Sequence, residues 1–241
     1  MSQAPPKVRV IAKRKHLPSG EPSPLFEALQ EVASVELVAE EDVFWKAGSK
    51  VRPCSLVFCA SSGRLALAHV SAAEAQGIKC INPAPALRVC RHVGWRAVLL
   101  SSAGVLVPEV SGVRGVGAAR ENGGRDLEAQ NRLLRRRVKQ FKRSIKPDAE
   151  YRTWLLGDSM YSYEVVVRGA NGPKLEPAAS KPLEETARRA GSALGLRTAA
   201  FKFLSQDENY YLVGLSATPT FNDFPEGPGT VAEWLVSEAV D

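Results

Sequence analysis

The chain has 241 residues, 44% of them hydrophobic and 24% charged, which is enough apolar material to bury one large core or two small ones. No apolar run reaches the eighteen or so residues needed to span a bilayer, and the opening "MSQAPPKVRVIAKRK" lacks the apolar segment that follows the charge in a signal peptide, so a soluble, cytoplasmic protein is expected. The formal charge of +6 invites a nucleic-acid reading, but it is concentrated in one place. "RLLRRRVKQFKRSIK", residues 132–146, holds Arg132, Arg135, Arg136, Arg137, Lys139, Lys142, Arg143 and Lys146 and no acid; these eight cations leave the remainder of the chain at −2.

In chain order, "KVRVIAKR" reads as a first strand, followed by the helix "PSPLFEALQEV". Ser23 and Pro24 open that helix, and Leu25, Leu29 and Val32 lie on one face. "SVELVA" and the continuous apolar run "SLVFCA" are strands. "SGRLALAHVSAAEAQG" is a helix stopped by Gly77, and "IKCIN" is another strand. This β-α-β-β-α-β order over residues 7–82 predicts a parallel or mixed open α/β sheet. Cys54, Cys59, Cys80 and Cys90 sit in or beside apolar stretches without metal-site spacing and read as reduced core thiols.

"APALRVCRHVGWRAVLLSSAG" is a helix interrupted near Gly94. Beyond it Gly112, Gly115, Gly117, Gly123 and Gly124 mark a linker or mobile loop; a glycine loop over a nucleotide phosphate is the alternative, although neither GxGxxG nor GxxxxGK[ST] is matched. In residues 132–146, Leu134, Val138, Phe141 and Ile145 recur at helical spacing, leaving a cationic remainder. That pattern fits either a solvated helix face or a surface for an anionic partner, protein or nucleic acid; no aromatic residues interleave to stack bases.

"EYRTWLLGDSMYSYEVVVR" predicts a hairpin turned at Gly157 and Asp158, and "NGPKLEPAASKP" a loop. "LEETARRAGSALG" is an amphipathic helix with Leu183, Ala187, Ala190 and Leu194 on one side. "TAAFKFLSQDENYYLVGLS" is a second hairpin turned at Asp207, Glu208 and Asn209, and "GTVAEWLVSEAV" a closing helix with Val231, Leu235 and Val236 inward. The expected fold class is an N-terminal α/β open-sheet domain followed by an α+β domain. The expected division is 1–82 as the α/β domain, 83–125 as a connecting helix and glycine-rich loop, and 126–241 as the C-terminal domain.

Several stretches together resemble the ATP-grasp superfamily, in particular its amino-acid and glutamate ligase branch. "EYRTWLLGD" is similar to that branch's Asp-x-Arg segment, "ALGLRTAAFKFL" to its "ALGL…AGVD" stretch, "YYLVGLSATPTF" to its "VxEVNxSPGL" strand and turn, and "GPGTVAEWLVSEAV" to its closing helix. "INPAPALRVCRHVGWRAVLLSSAGVLVP" resembles the entry segment. The resemblance implies an ATP-grasp-like C-terminal domain and carries with it the family's ATP and Mg²⁺ chemistry. Carried over position by position, it puts the family's first metal carboxylate on Lys202, its glutamate on Gly214, its asparagine on Ser216, and the entry segment's Asp-Lys pair on His92 and Val93. The arginine is kept as Arg152, with Glu150 where an aspartate would precede it.

Three expectations follow. The first is a catalytically degenerate ATP-grasp protein, a pseudoenzyme with a truncated lid between Pro108 and Phe141, that needs no cofactor and acts as a non-catalytic partner, assembly or regulatory subunit. Residual nucleotide contacts are then confined to Arg152, Glu150 and Lys202, and an acidic protein surface binds Arg135, Arg136, Arg137, Lys139, Lys142 and Arg143. The second is an ATP-dependent carboxylate-amine ligase with unconventional phosphate binding, using ATP and Mg²⁺. The third is an anion or nucleic-acid binding module acting through the basic segment.

Overall fold

The computed structural model describes residues 5–17, 23–43, 50–108, 147–167 and 172–240. The glycine-rich stretch 112–124, the basic segment 132–146 and nearly all of the stretch on which the truncated lid was inferred lie outside the described residues. The chain divides into two compact units, one of residues 1–87 with 217–241 and one of residues 88–216. The closing helix thus belongs with the N-terminal sheet, whereas a division by sequence order groups it with the second half.

The first unit is built on a four-stranded parallel sheet. Its strands are β1 (Lys7–Ala12), β2 (Ser34–Ala39), β3 (Leu56–Cys59) and β4 (Lys79–Ile81), in the order β2-β1-β3-β4. Parallel neighbours need crossovers, and helices α1 (Pro24–Val32) and α2 (Arg64–Glu74) supply two of them. Residues alternate between faces along each strand. Ile11, Val57 and Cys59 therefore meet Ala66, Val70 and Ala73 of α2 in one apolar cluster.

The closing helix, α6 (Gly227–Val240), packs against α1 in this unit. Val231 and Leu235 are fully buried as expected, but Val236 is only half-buried, and the inward position is taken by Glu238, whose carboxylate pairs with Lys79 at 3.1 Å. In α1, Leu25 and Leu29 are buried with Phe26, while Val32 at the last turn is 41% exposed. Ser23 stands at the N-cap but makes no side-chain cap; its hydroxyl instead contacts Asn222 Oδ1 at 3.2 Å, and its carbonyl accepts from Phe26 N–H at 2.8 Å.

The second unit opens with α3 (Ala84–Arg91), which begins in the first, and α4 (Val93–Ser102). The break at His92 comes two residues before the expected interruption at Gly94. An antiparallel sheet follows, of β5 (Ala149–Leu156), β6 (Ser159–Val167), β7 (Pro173–Pro177), β8 (Thr198–Gln206) and β9 (Asn209–Ser216), in the order β7-β6-β5-β8-β9. β7 corrects the reading of "NGPKLEPAASKP" as a loop. It is an edge strand bounded by Pro173 and Pro177, where missing backbone donors cost least. The second hairpin turns on two residues, Asp207 and Glu208, both at positive φ, while Asn209 opposite Gln206 already belongs to β9.

Helix α5 (Lys181–Leu194) covers one face of this sheet, burying Leu183, Ala187, Ala190 and Leu194 as its periodicity predicts. Ser180 caps its first turn by accepting from Leu183 N–H at 3.4 Å, and Gly195 ends it in the left-handed conformation at φ 66. Gly191 sits so close to the sheet that a Cβ there would meet Leu155 Cδ2 at 2.8 Å. α5 therefore lies on the face of Leu155 and Phe201, and the opposite face carries the residues singled out by the resemblance.

Candidate functional site

The site is laid out by strand register. Arg152 of β5 stands opposite Lys202 of β8, and Lys202 opposite Gly214 of β9, so the three form one row across the sheet. On the far side of β5 the row continues to Tyr163. The next row runs from Trp154 through Ala200 to Ser216, with Tyr161 beyond Trp154. Glu150 stands one row the other way, opposite Leu204. Directly opposed residues project to the same face, so Glu150, Arg152, Lys202, Gly214 and Ser216 share a face of the sheet. Five of the positions singled out by the resemblance thus share one face.

Lys202 is paired with Glu150 through Nζ and Oε1, a diagonal contact between neighbouring strands. The lysine side chain is 35% exposed and the glutamate 23%, so solvent and solutes reach both. Gly214 leaves room for the lysine stem: a Cβ at that position would lie 3.1 Å from Lys202 Cβ and within 4 Å of Cγ and Cδ. A register shift in the β8–β9 pairing, between Lys202 and Phe203, adds a local irregularity at the same point. The floor beside this row is aromatic and buried, with Trp154 and Tyr163 meeting edge to face at 5.8 Å between centroids. The sequence reading passed over both rings. The alternation of Trp154 with Arg152 along β5 was the available signal; Tyr163 stands directly opposite Arg152 on β6, which only the register shows.

His92 and Val93 are on no strand of this sheet. His92 stands at the N-cap position of α4 without a side-chain cap, its ring centroid 5.2 Å from that of Trp95, and Val93 is buried.

Mg²⁺ requires hard oxygen ligands, with carboxylates foremost. The three positions to which the resemblance assigns metal ligands present an ammonium, no side chain and a hydroxyl, and Glu150, a carboxylate on the same face, is paired with that ammonium. This donor set does not fit Mg²⁺. Among the described residues no group of three or more His, Cys, Asp or Glu is placed to hold a metal ion.

A second buried charge cluster lies in the first unit. Arg9, 2% exposed, donates from Nη2 to Glu36 Oε2 at 2.8 Å across the β1–β2 pair, and Lys7 approaches the same oxygen at 3.2 Å. Burial pushes the Glu36 carboxyl up, but the hydrogen bonds from Arg9 and Lys7 outweigh it and hold the group below its ordinary range. His69 of α2 is buried, and desolvation, reinforced by the Arg9 charge, pulls its pKa down to about 4. All four cysteines are free; burial raises Cys59 and Cys90 to about 11 and Cys80 to about 12, which makes them poor nucleophiles.

Comparison of the whole structure with solved proteins decides the architecture. An ATP-grasp ligase, PsnB, complexed with a phosphomimetic variant of its minimal precursor, Mg and ADP, superposes with a TM-score of 0.65 at 15% identity, covering 98% of this chain and 99% of that one. D-alanine–D-alanine ligase from Bacillus anthracis complexed with ATP matches with a TM-score of 0.65 at 9% identity, over 98% and 97% of the two chains. This chain has the ATP-grasp fold. A RimK domain protein from Sphaerobacter thermophilus, also described as ATP-grasp, matches at 14% identity and a TM-score of 0.62, covering 95% of this chain and 98% of that one. No protein-family model and no curated protein matches the chain. The fold is shared with ATP-dependent ligases, and among the described residues no helix is long and apolar enough to cross a membrane.

Proposed function

We propose that this chain is a catalytically degenerate ATP-grasp-fold protein that acts by binding, as a non-catalytic partner, assembly or regulatory subunit. The observation that supports this most is the Lys202–Glu150 ion pair, whose lysine stands at the position where the resemblance calls for a metal carboxylate. Acyl-phosphate chemistry concentrates negative charge on phosphate oxygens and needs a divalent ion to bridge them. A tethered ammonium carries one charge, donates hydrogen bonds to single oxygens and cannot bridge two phosphates as a divalent ion does. The partner class is argued from sequence: eight cations without an acid over residues 132–146 fit an acidic protein surface.

The test is turnover. Incubation with millimolar MgATP and a mixture of amino acids and small carboxylic acids is expected to release no ADP above the protein-free blank. Sustained ADP release that depends on protein concentration contradicts the reading and favours a carboxylate-amine ligase with unconventional phosphate binding.

A further inference from the structure

We infer that the exposed face of α4 is a docking surface for an acidic amphipathic helix of a partner protein, seated on Trp95, Val98 and Leu99. The inference rests on the non-catalytic reading above and names where, on the second unit, the partner binds. α4 has two apolar faces. Val93 and Leu100 are buried, while Trp95, Val98 and Leu99 are 55%, 61% and 39% exposed. Spaced i, i+3 and i+4, these three form one outer stripe, extended a turn earlier by His92, whose ring centroid lies 5.2 Å from that of Trp95. A lone exposed aliphatic side chain is ordinary, but a tryptophan with two aliphatic neighbours on adjacent turns has the composition of an interface core.

Charge selects the occupant. From Ala75 to Pro108 the chain contains no Asp or Glu. Half-buried Arg96 of α4 donates to the Cys90 carbonyl at 3.2 Å, and desolvation disfavours its charge. At the other end of the helix α5 packs against α4 and brings Arg189 Nη1 to 3.6 Å from the point a Cβ on Gly104 would occupy. Arg189 donates to the Thr186 hydroxyl at 3.2 Å. Both guanidiniums thus meet neutral acceptors, and carboxylates flanking the apolar stripe of a partner helix would offset their charge. A second copy of this chain fits less well: three side chains fall far short of the roughly 800 Å² that each partner buries in a stable complex, and a two-fold contact would set like charges together. A single helix laid along α4 needs no such area.

The probe is a fluorescently labelled, stapled helical peptide with Leu at i, i+3, i+4 and i+7 and Glu at the flanking positions, titrated with the full chain by anisotropy. A Leu/Lys peptide of the same pattern is the control. The Leu/Glu peptide is expected to bind saturably and more weakly as salt rises, and the Leu/Lys peptide not to bind. Trp95→Ala and Val98→Asp should each weaken binding at least about tenfold, as removal of a central interface anchor does. Their melting temperatures should scarcely change, since both side chains are exposed. Equal binding of the two peptides, no binding of either, or variants that bind as the wild type does would overturn the inference. So would binding that is lost when Arg135, Arg136 and Arg137 become Gln yet is indifferent to Trp95→Ala, which places the peptide on the basic segment. A dimer in sedimentation velocity that Val98→Asp abolishes gives the face to a second copy, and flotation with phosphatidylserine vesicles abolished by the same change gives it to a lipid surface; either result overturns the inference. If one variant does not fold, the other decides. None of these readouts involves ADP release, so peptide binding by a protein that turns over ATP would refute the non-catalytic reading and leave this surface standing.

Discussion

Lys202 and Gly214 face each other across the β8–β9 pair, with Lys202 Cβ 3.1 Å from the point a Cβ on residue 214 would occupy. The two positions are therefore coupled by packing. Gly214→Glu, with Lys202 retained, is expected to lower stability by about 1–2 kcal/mol through overpacking. A urea midpoint equal to that of the wild type would show that the strands part freely there.

Rebuilding the metal ligands is a stricter version of the same experiment. Lys202→Asp with Gly214→Glu and Ser216→Asn places two new carboxylates beside Glu150, and their mutual repulsion creates a demand for a cation. At most weak Mg²⁺ binding and no turnover are expected, because ligands alone do not orient a phosphate for attack. Formation of an acyl phosphate by this triple variant would show that the ligands were the limiting defect.

The fold was legible where the physical signal is local. Periodicity placed α5 and its buried Leu183, Ala187, Ala190 and Leu194, and the turn residues Gly157 and Asp158, and Asp207, Glu208 and Asn209, announced both hairpins, although Asn209 belongs to the strand. β7 was missed because an edge strand between prolines has turn-like composition. Register was not legible. Arg152, Lys202 and Gly214 were singled out separately from family pattern, but only the strand pairing shows that they share one row and that Glu150 reaches Lys202. Buried charges were also missed: Arg9 lies between Val8 and Val10 and Glu238 in a helix of mostly apolar face, and each is made tolerable by a partner distant in sequence, Glu36 and Lys79.

The buried His69 predicts an acid-sensitive first unit. Its pKa falls from 6.5 to about 4 on folding, so between those values the unfolded chain binds the extra proton and the folded chain does not. Stability must then rise with pH across that window and fall as pH drops from about 6.5 towards 4. Urea denaturation at intervals of pH, for wild type and His69→Gln, should show the steeper acid loss in the wild type. Parallel pH profiles would mean that His69 takes up its proton equally well in the folded protein.

For the basic segment, Arg135, Arg136 and Arg137 changed together to Gln should weaken association with an acidic partner and reduce its salt dependence. The melting temperature should scarcely change, since the apolar set Leu134, Val138, Phe141 and Ile145 is retained. Loss of folding in that variant would mean that these arginines are paired within the protein itself. Preferential binding of duplex DNA or RNA over acidic protein would replace the partner class proposed above.

The most direct measurement of the proposed degeneracy, in which the three metal-ligand positions hold no divalent ion, is the thermal shift with millimolar MgATP before and after EDTA. Ligand stabilisation follows RT ln(1 + [L]/Kd) and is therefore small until the free ligand exceeds its Kd. A degenerate site gives little shift with MgATP, and EDTA leaves it unchanged. A rise of several degrees that EDTA abolishes would contradict it.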